Sequence, residues 1–328
     1  MLTLCHALNS GLRRAMEDDA KVMLLGEDIG RLGGVFRVTD GLQKDFGKAR
    51  VMDSTLAESG IIGTAIGLAL RGYRPVCEIQ FDGFVYPAFN QIVSQLAKMR
   101  ARTNGRTSLP VVVRIPVGGG IGAVEHHSES NEAYFAHTAG LRVVYCSSAD
   151  DAHWMIRQAI AGDDPVIFYE PKRRYWMKGE VTPEDEGPPR PLDRAHIVRR
   201  GSDVTLLTYG GMVATCLAAA EAAAEAAAED GRDVEVVDLR SISPLDVRTI
   251  EESVRRTGRA VVVHEAPTFA GFGAEVAAQV MTRCFYSLEA PVERVGGFNL
   301  PYPPAKVEEE YLPDLDRILD AVDRVLAA

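Results

Sequence analysis

Glu58, at the start of a helical stretch, is the first residue whose surroundings suggest proton chemistry. It stands in Asp53-Ser-Thr-Leu-Ala-Glu58-Ser-Gly60, after a short β-rich run, and the stretch continues Ile61-Ile-Gly63-Thr-Ala-Ile-Gly67-Leu-Ala. A carboxylate in a first helical turn is common, because the positive end of the helix dipole stabilises it. Gly63 and Gly67 make this one unusual. Each glycine costs about 1 kcal/mol relative to alanine inside a helix, so close approach of another helix or of a ligand is expected over them. A carboxylate at such a poorly solvated junction has its pKa raised toward neutrality.

A second candidate is Cys77-Glu78-Ile79-Gln80-Phe81-Asp82-Gly83-Phe84, a strand running into a glycine turn ahead of Pro87. Open α/β sheets bind ligands beyond the carboxyl ends of their strands. There Gln80 can offer a hydrogen bond and Phe84 a flat apolar face, although Phe81 and Phe84 read equally well as core aromatics.

The third is Val117-Gly-Gly-Gly-Ile-Gly-Ala-Val-Glu125-His126-His127-Ser128-Glu129-Ser130, whose four glycines permit an irregular, mobile backbone. Adjacent side chains are expected to diverge, and no third ligand lies at a typical spacing, so no metal is assigned to the histidines. One histidine acting as an acid–base or oxyanion group fits better, since imidazole titrates near neutral pH. Gly271-Phe-Gly273 follows a strand and opens a helix, but it lacks the third small residue of a dinucleotide fingerprint. It reads as tight helix–strand packing.

Alternating short apolar runs and helical patterns position these residues, the signature of a parallel α/β architecture. Strands are expected at Val22–Glu27, Arg50–Asp53, Pro75–Gln80, Pro110–Pro116, Leu141–Cys146 and Val166–Glu170. Helices are expected at Leu4–Met16, Glu58–Leu70, Tyr86–Arg100 and Asp151–Ala161. A Pro- and charge-rich stretch then gives way to a second run. It has strands at Val204–Tyr209, Val234–Leu239, Ala260–Glu265 and Val292–Val295, with helices at Met212–Asp230, Asp246–Thr257 and Gly273–Tyr286. The organisation is thus a first doubly wound domain over 1–175, a linker over 176–200 and a second domain over 201–328. Glu221, Glu225 and Glu229, four apart, read as the solvated stripe of one helix.

A net charge of −10 argues against a nucleic-acid surface and suits a basic protein partner. The five cysteines are scattered singly, which points to buried thiols in a reducing compartment rather than disulfides or a zinc site. The longest apolar runs have strand length, so no membrane span is expected. The first twenty residues lack the layout of a signal peptide, which leaves the cytoplasm as the expected location.

Taken in order, these pieces resemble the β subunits of the E1 component of the pyruvate and branched-chain 2-oxoacid dehydrogenase complexes. The matching stretches are Gly26-Glu-Asp-Ile-Gly30, Leu56-Ala-Glu-Ser-Gly60, Glu78-Ile-Gln-Phe81, Pro87-Ala-Phe-Asn-Gln-Ile92 and His127-Ser-Glu-Ser130. They continue with Glu132-Ala-Tyr-Phe-Ala-His137, Asp164-Pro-Val-Ile-Phe168, Asp238-Leu-Arg-Ser-Ile-Ser-Pro-Leu245 and His264-Glu-Ala-Pro267. They run nearly end to end, and their shared register carries more weight than any one of them.

The resemblance implies a transketolase-like pyrimidine-binding domain followed by a transketolase C-terminal domain. It implies thiamine diphosphate as cofactor, with Glu58 hydrogen-bonded to N1′ of the aminopyrimidine. That contact favours the tautomer whose 4′-nitrogen removes the thiazolium proton. Phe84 matches the aromatic against the pyrimidine, Gln80 and Glu27 match further cofactor contacts, and His127 matches the histidine facing the substrate carboxylate or the lipoyl group. The implied reaction is oxidative decarboxylation of a 2-oxo acid with acyl transfer to the lipoyl group of E2.

The family holds the diphosphate and Mg2+ through a GDG…NN motif on an α subunit, and this chain has no GDG. An α partner in an α2β2 heterotetramer is therefore expected, with E2 as a further partner. The Gly63/Gly67 helix is a candidate for close subunit packing. The acidic stretch Glu308, Glu309, Glu310, Asp314 and Asp316 reads either as a surface for a basic binding domain of E2 or as a solvated helix face. Asn131 and Asn90 depart from the family's usual Pro and Asp, and Asn131 adjoins the His127 loop.

The form His126-His127-Ser-Glu-Ser, with Gly297-Phe-Asn-Leu-Pro-Tyr-Pro-Pro-Ala-Lys306 and Tyr311-Leu-Pro-Asp314, is more similar to the branched-chain members of bacterial type, and that resemblance implies a branched-chain substrate. A pyruvate- or acetoin-specific relative and a non-catalytic assembly subunit stand as alternatives. Whether K+ steadies the loops near Val112 or Asp164 is left open.

Overall fold

A computed structural model describes residues 1–226 and 232–328 of the chain. Two units emerge, Met1–Val117 with Tyr134–Leu192, and Gly118–Ala133 with Asp193–Ala328.

The first unit begins with β1 (Leu2–Thr3) and α1 (Leu4–Asp18), whose N-cap Thr3 accepts from the His6 amide. There follow β2 (Val22–Gly26), α2 (Leu42–Phe46), β3 (Val51–Asp53), α3 (Glu58–Leu70), β4 (Arg74–Glu78), α4 (Met99–Arg102) and β5 (Val112–Val117). After α5 (Glu132–Ala136) come β6 (Arg142–Tyr145), α6 (Ala149–Ala161), β7 (Val166–Pro171) and β8 (Lys178–Gly179), which pairs with β1. The strands lie in the order β6-β7-β5-β4-β2-β3, all parallel. The central strands β5 and β7 are wholly buried, as a parallel sheet covered on both faces requires. One core joins α1 through Leu4, Leu8 and Leu12 to Met155 and Ile156 of α6 and Phe168 of β7.

The helix expected over Tyr86–Arg100 does not form as one piece. A 3-10 turn (Asp82–Ala88) contains Pro87, a π-helical turn spans Gln91–Leu96, and α4 covers only Met99–Arg102. Proline has no amide to donate within a regular helix, and π turns of this kind often mark functional sites.

Within this sheet Arg114 is fully buried and binds two carboxylates. It donates to Glu170 at 2.6 and 2.9 Å and to Glu78 at 2.7 Å, and Tyr175 donates to the same Glu170 carboxylate at 2.7 Å. Burial, the largest influence, and the charge of Glu170 push the Glu78 carboxyl upward against the pull of Arg114. A buried charge of this kind is tolerated only because its hydrogen bonds are met.

The second unit contains β9 (His196–Arg199), β10 (Val204–Thr208), α7 (Met212–Ala226), β11 (Val234–Asp238) and β12 (Ser241–Ser243). It continues with α8 (Val247–Thr257), β13 (Ala260–Pro267), α9 (Phe272–Cys284), β14 (Glu293–Gly297), α10 (Glu308–Tyr311) and α11 (Leu315–Leu326). The sheet order is β14-β13-β10-β11-β9, parallel except for β9 at the edge. Sequence periodicity passed over β9, which lies in the charged stretch and is only partly buried. Glu221 and Glu225 lie on α7 and are exposed, whereas Glu229 and the end of the expected helix lie outside the described residues.

At Gly271 and Gly273 the packing reading holds. A Cβ at Gly273 would collide with the His264 ring on β13, and one at Gly271 would strike the Pro267 carbonyl. Among the described residues, no helix is long and apolar enough to cross a membrane.

Candidate functional site

Three neighbouring strands of the first unit, β3, β2 and β4, end on the same edge and carry the candidate residues just beyond their carboxyl ends. Glu27 follows β2, Glu58 opens α3 after β3, and Gln80 lies two residues past β4. Gln80 Nε2 donates to the Glu27 carbonyl at 3.3 Å and to the Asp28 carboxylate at 3.2 Å, so β4 and the β2 turn are tied together. The turn itself is shaped by Asp28, at φ +58°, a left-handed conformation that Asp tolerates better than most residues. Gly30 lies so close to Gln43 and Asp53 that any side chain there would collide. Its amide donates to Asp53 at 2.6 Å.

Glu27 is buried, and its Oε1 has no hydrogen-bond partner among the described residues. Burial raises its pKa, and the charges of Glu58 and Asp28 raise it further. Two carboxylates thus stand near enough at the strand ends to act on each other. Glu58 is half-buried, and a methyl group added at Gly63 or Gly67 would meet open space. The close packing expected over those glycines is therefore not made within the described residues.

Phe84 is half-buried on the 3-10 turn that follows Gln80, edge-on to Phe81 at 5.5 Å between ring centroids. That turn is pinned from beneath by Lys172, which donates to Asp82 at 2.6 Å with both side chains fully buried. Sequence reading missed this pair. Its members are ninety positions apart, and only the Asp82 side of the turn carried a signal.

His127 belongs to the second unit, in a 3-10 turn over Glu125–His127. Its amide donates to Val124 at 3.0 Å. Contrary to the expected divergence, the His126 and His127 rings stand 4.3 Å apart between centroids. Among the described residues, no group of three or more His, Cys, Asp or Glu side chains is placed to hold a metal ion.

Glu308 departs from both readings of the acidic stretch. It is buried, and it accepts from the amides of Gly120 at 2.8 Å and Gly122 at 3.0 Å.

Residues 1–177 match the transketolase pyrimidine-binding domain, and residues 193–318 match the transketolase C-terminal domain. A pyruvate dehydrogenase E1 component subunit beta of Leifsonia xyli is 61% identical over 99% of this chain and 95% of its own length. The chain belongs to the E1 β subunits of the 2-oxoacid dehydrogenases.

Other E1 β relatives carry branched-chain names. A 3-methyl-2-oxobutanoate dehydrogenase subunit beta of Mycobacterium tuberculosis is 54% identical, covering 99% of this chain and 92% of the relative. A 2-oxoisovalerate dehydrogenase subunit beta of Pseudomonas aeruginosa is 45% identical, covering 99% and 95%. A solved structure described as a split gene transketolase, an inactive beta4 tetramer, aligns with a TM-score of 0.79 at 23% identity. It covers 99% of this chain and 98% of that one, and it supports the fold alone. The transketolase-like E1 family implies dependence on thiamine diphosphate, and E1 β names imply a complex with an α subunit and an E2 core.

The residues of this E1 β chain suit an aminopyrimidine. The edge formed by β3, β2 and β4 offers carboxyl groups for ring nitrogens, an unpartnered buried oxygen on Glu27, and an aromatic face on Phe84.

Proposed function

We propose that this chain supplies the pyrimidine-binding half of a thiamine diphosphate site shared with an E1 α subunit in an α2β2 heterotetramer. The pair decarboxylates a 2-oxo acid and passes the acyl group to the lipoyl group of E2. The observation that carries the reading is the carboxyl pair Glu27 and Glu58 at the strand ends, beside Gln80 and with a buried oxygen still to be partnered.

In this reading Glu58 holds a proton at N1′ of the aminopyrimidine. Glu27 and Gln80 make further contacts with the cofactor from the same strand edge, Phe84 lies against the ring, and His127 faces the substrate carboxylate or the lipoyl group. Bound thiamine diphosphate supplies the carbon nucleophile and the electron sink that decarboxylation needs. Mg2+ and the diphosphate belong to the α subunit. The open Gly63/Gly67 face of α3 supports a partner helix there. The five buried, free thiols support a reducing, cytoplasmic setting.

The substrate is a branched-chain 2-oxo acid, on the motifs around His127 and the Gly297–Lys306 stretch. The 61% identity to a relative named for pyruvate favours a second reading, in which pyruvate is the substrate. One or two methylenes alter discrimination by only about 1–3 kcal/mol, so substrate choice turns on few contacts.

The test is decarboxylation by the chain mixed with its α subunit, thiamine diphosphate and Mg2+, using 2-oxoisovalerate and pyruvate in turn with an artificial electron acceptor. Activity only in the mixture, greater with 2-oxoisovalerate, is expected. Greater activity with pyruvate selects the second reading. A stable complex silent with both acids overturns the catalytic assignment in favour of an acetoin-specific or purely assembling role.

A further inference from the structure

The loop that carries His127 closes on itself, since the Gly118 amide donates to the Glu129 carbonyl at 3.1 Å. Its glycine end is nevertheless not loose. Gly118, Gly120 and Gly122 adopt φ of +84°, +80° and +70°, so alternate residues are left-handed and their amides can converge on an anion. The anion is the protein's own. Glu308 Oε1 accepts from the Gly120 amide at 2.8 Å and from the Tyr302 hydroxyl at 2.7 Å, and Oε2 accepts from the Gly122 amide at 3.0 Å. The intervening Gly119 amide donates to Glu265. Any side chain at Gly119 would collide with the Tyr302 hydroxyl, which explains why this position holds glycine.

We propose that Glu308 is a positioning residue, latching the His127 loop through the amides of Gly120 and Gly122 and so setting where the imidazole stands. The proposal rests on the reading of His127 as an active-site group; the latch itself does not. A run of glycines left to itself samples many conformations. Three donors on one buried carboxylate select one of them, because hydrogen bonds to a charged acceptor are roughly twice as strong as neutral ones. Glutamine is a poor substitute despite its shape. It offers one oxygen where three donors converge, and its own amide donors would face a backbone donor.

The test uses the assembled enzyme with its α subunit, thiamine diphosphate and Mg2+, carrying E308Q, Y302F, H127A or E308Q with H127A. Hydrogen exchange read by mass spectrometry over residues 118–129 reports the latch directly. E308Q is expected to speed exchange at Gly119–Gly122 by on the order of tenfold, the loss of one charge-assisted bond. Y302F, which keeps the carboxylate, acts in the same direction and less. Unchanged exchange in both variants overturns the latch.

The kinetic arm measures reductive acylation of a lipoyl domain. E308Q is expected to slow it several-fold when His127 is present and to add nothing in the H127A background. An equal loss in both backgrounds overturns positioning through His127. Normal kinetics in H127A refute the active-site reading of His127, and with it the positioning role, while faster exchange in E308Q would still establish the contact.

Discussion

Lys172 and Asp82 form an ion pair of 2.6 Å with both side chains wholly buried, and it ties the turn bearing Phe84 to the end of β7. The ammonium also lies 5.5 Å from the centre of the Phe81 ring. Removing one partner leaves a buried charge uncompensated, so Lys172→Met should destabilise the chain by roughly 3–5 kcal/mol. Replacing both, as Lys172→Met with Asp82→Leu, should recover much of that loss. Urea melts compare the three proteins, and a double variant as unstable as the single one would refute the pairing account. In the assembled enzyme either change should weaken thiamine diphosphate binding through Phe84, read as a raised KM for the cofactor.

Glu58→Gln should abolish turnover, by at least about a hundredfold, the scale of a lost proton-transfer group. The fold should survive. Glu58 is half-buried at a helix start, where a carboxylate contributes about 0.3–1 kcal/mol through the helix dipole. Assay and thermal melt together check this, and near-normal turnover in a folded variant would remove Glu58 from the mechanism.

Glu27 carries a built-in cost. Burial and the neighbouring Glu58 and Asp28 raise its pKa above the ordinary 4.5. Its protonated form therefore favours the fold below that value, and this contribution is lost as pH rises through the raised pKa. Glu27→Gln should accordingly raise the melting temperature of the cofactor-free chain more at pH 8 than at pH 4, while impairing cofactor-dependent activity. A gain independent of pH, or larger at pH 4, would contradict the assignment.

His264 gives the opposite sign. It is fully buried in the glycine cradle of α9, and its ring lies nearly parallel to Tyr209 at 6.2 Å. Burial, with the charge of Arg294 behind it, lowers its pKa from 6.5 to about 4. The unfolded chain therefore takes up a proton first. Stability is intact above pH 6.5 and lost between 6.5 and 4, by on the order of 3 kcal/mol. His264→Gln should flatten that slope, as measured by denaturant melts from pH 4 to 7.5. A variant with the wild-type slope would place the acid sensitivity elsewhere.

Local pattern alone determined the α/β class, the strand and helix rhythm, the start of α3 at Glu58 and the tight packing at Gly271 and Gly273. Each depends on residues within a few positions of one another, where hydrophobic period, helix-start chemistry and the missing side chain of glycine act directly. The tertiary structure decided what spans the chain. It broke the expected Tyr86–Arg100 helix into 3-10, π and short α turns around Pro87. It paired Lys172 with Asp82 and Arg114 with Glu170, and it turned Glu308 from a surface acid into the buried acceptor of two loop amides 188 and 186 positions away. A carboxylate looks the same in sequence whether it faces water or a backbone amide. Only the folded chain determines which donors reach it, and burial then makes the pairing obligatory.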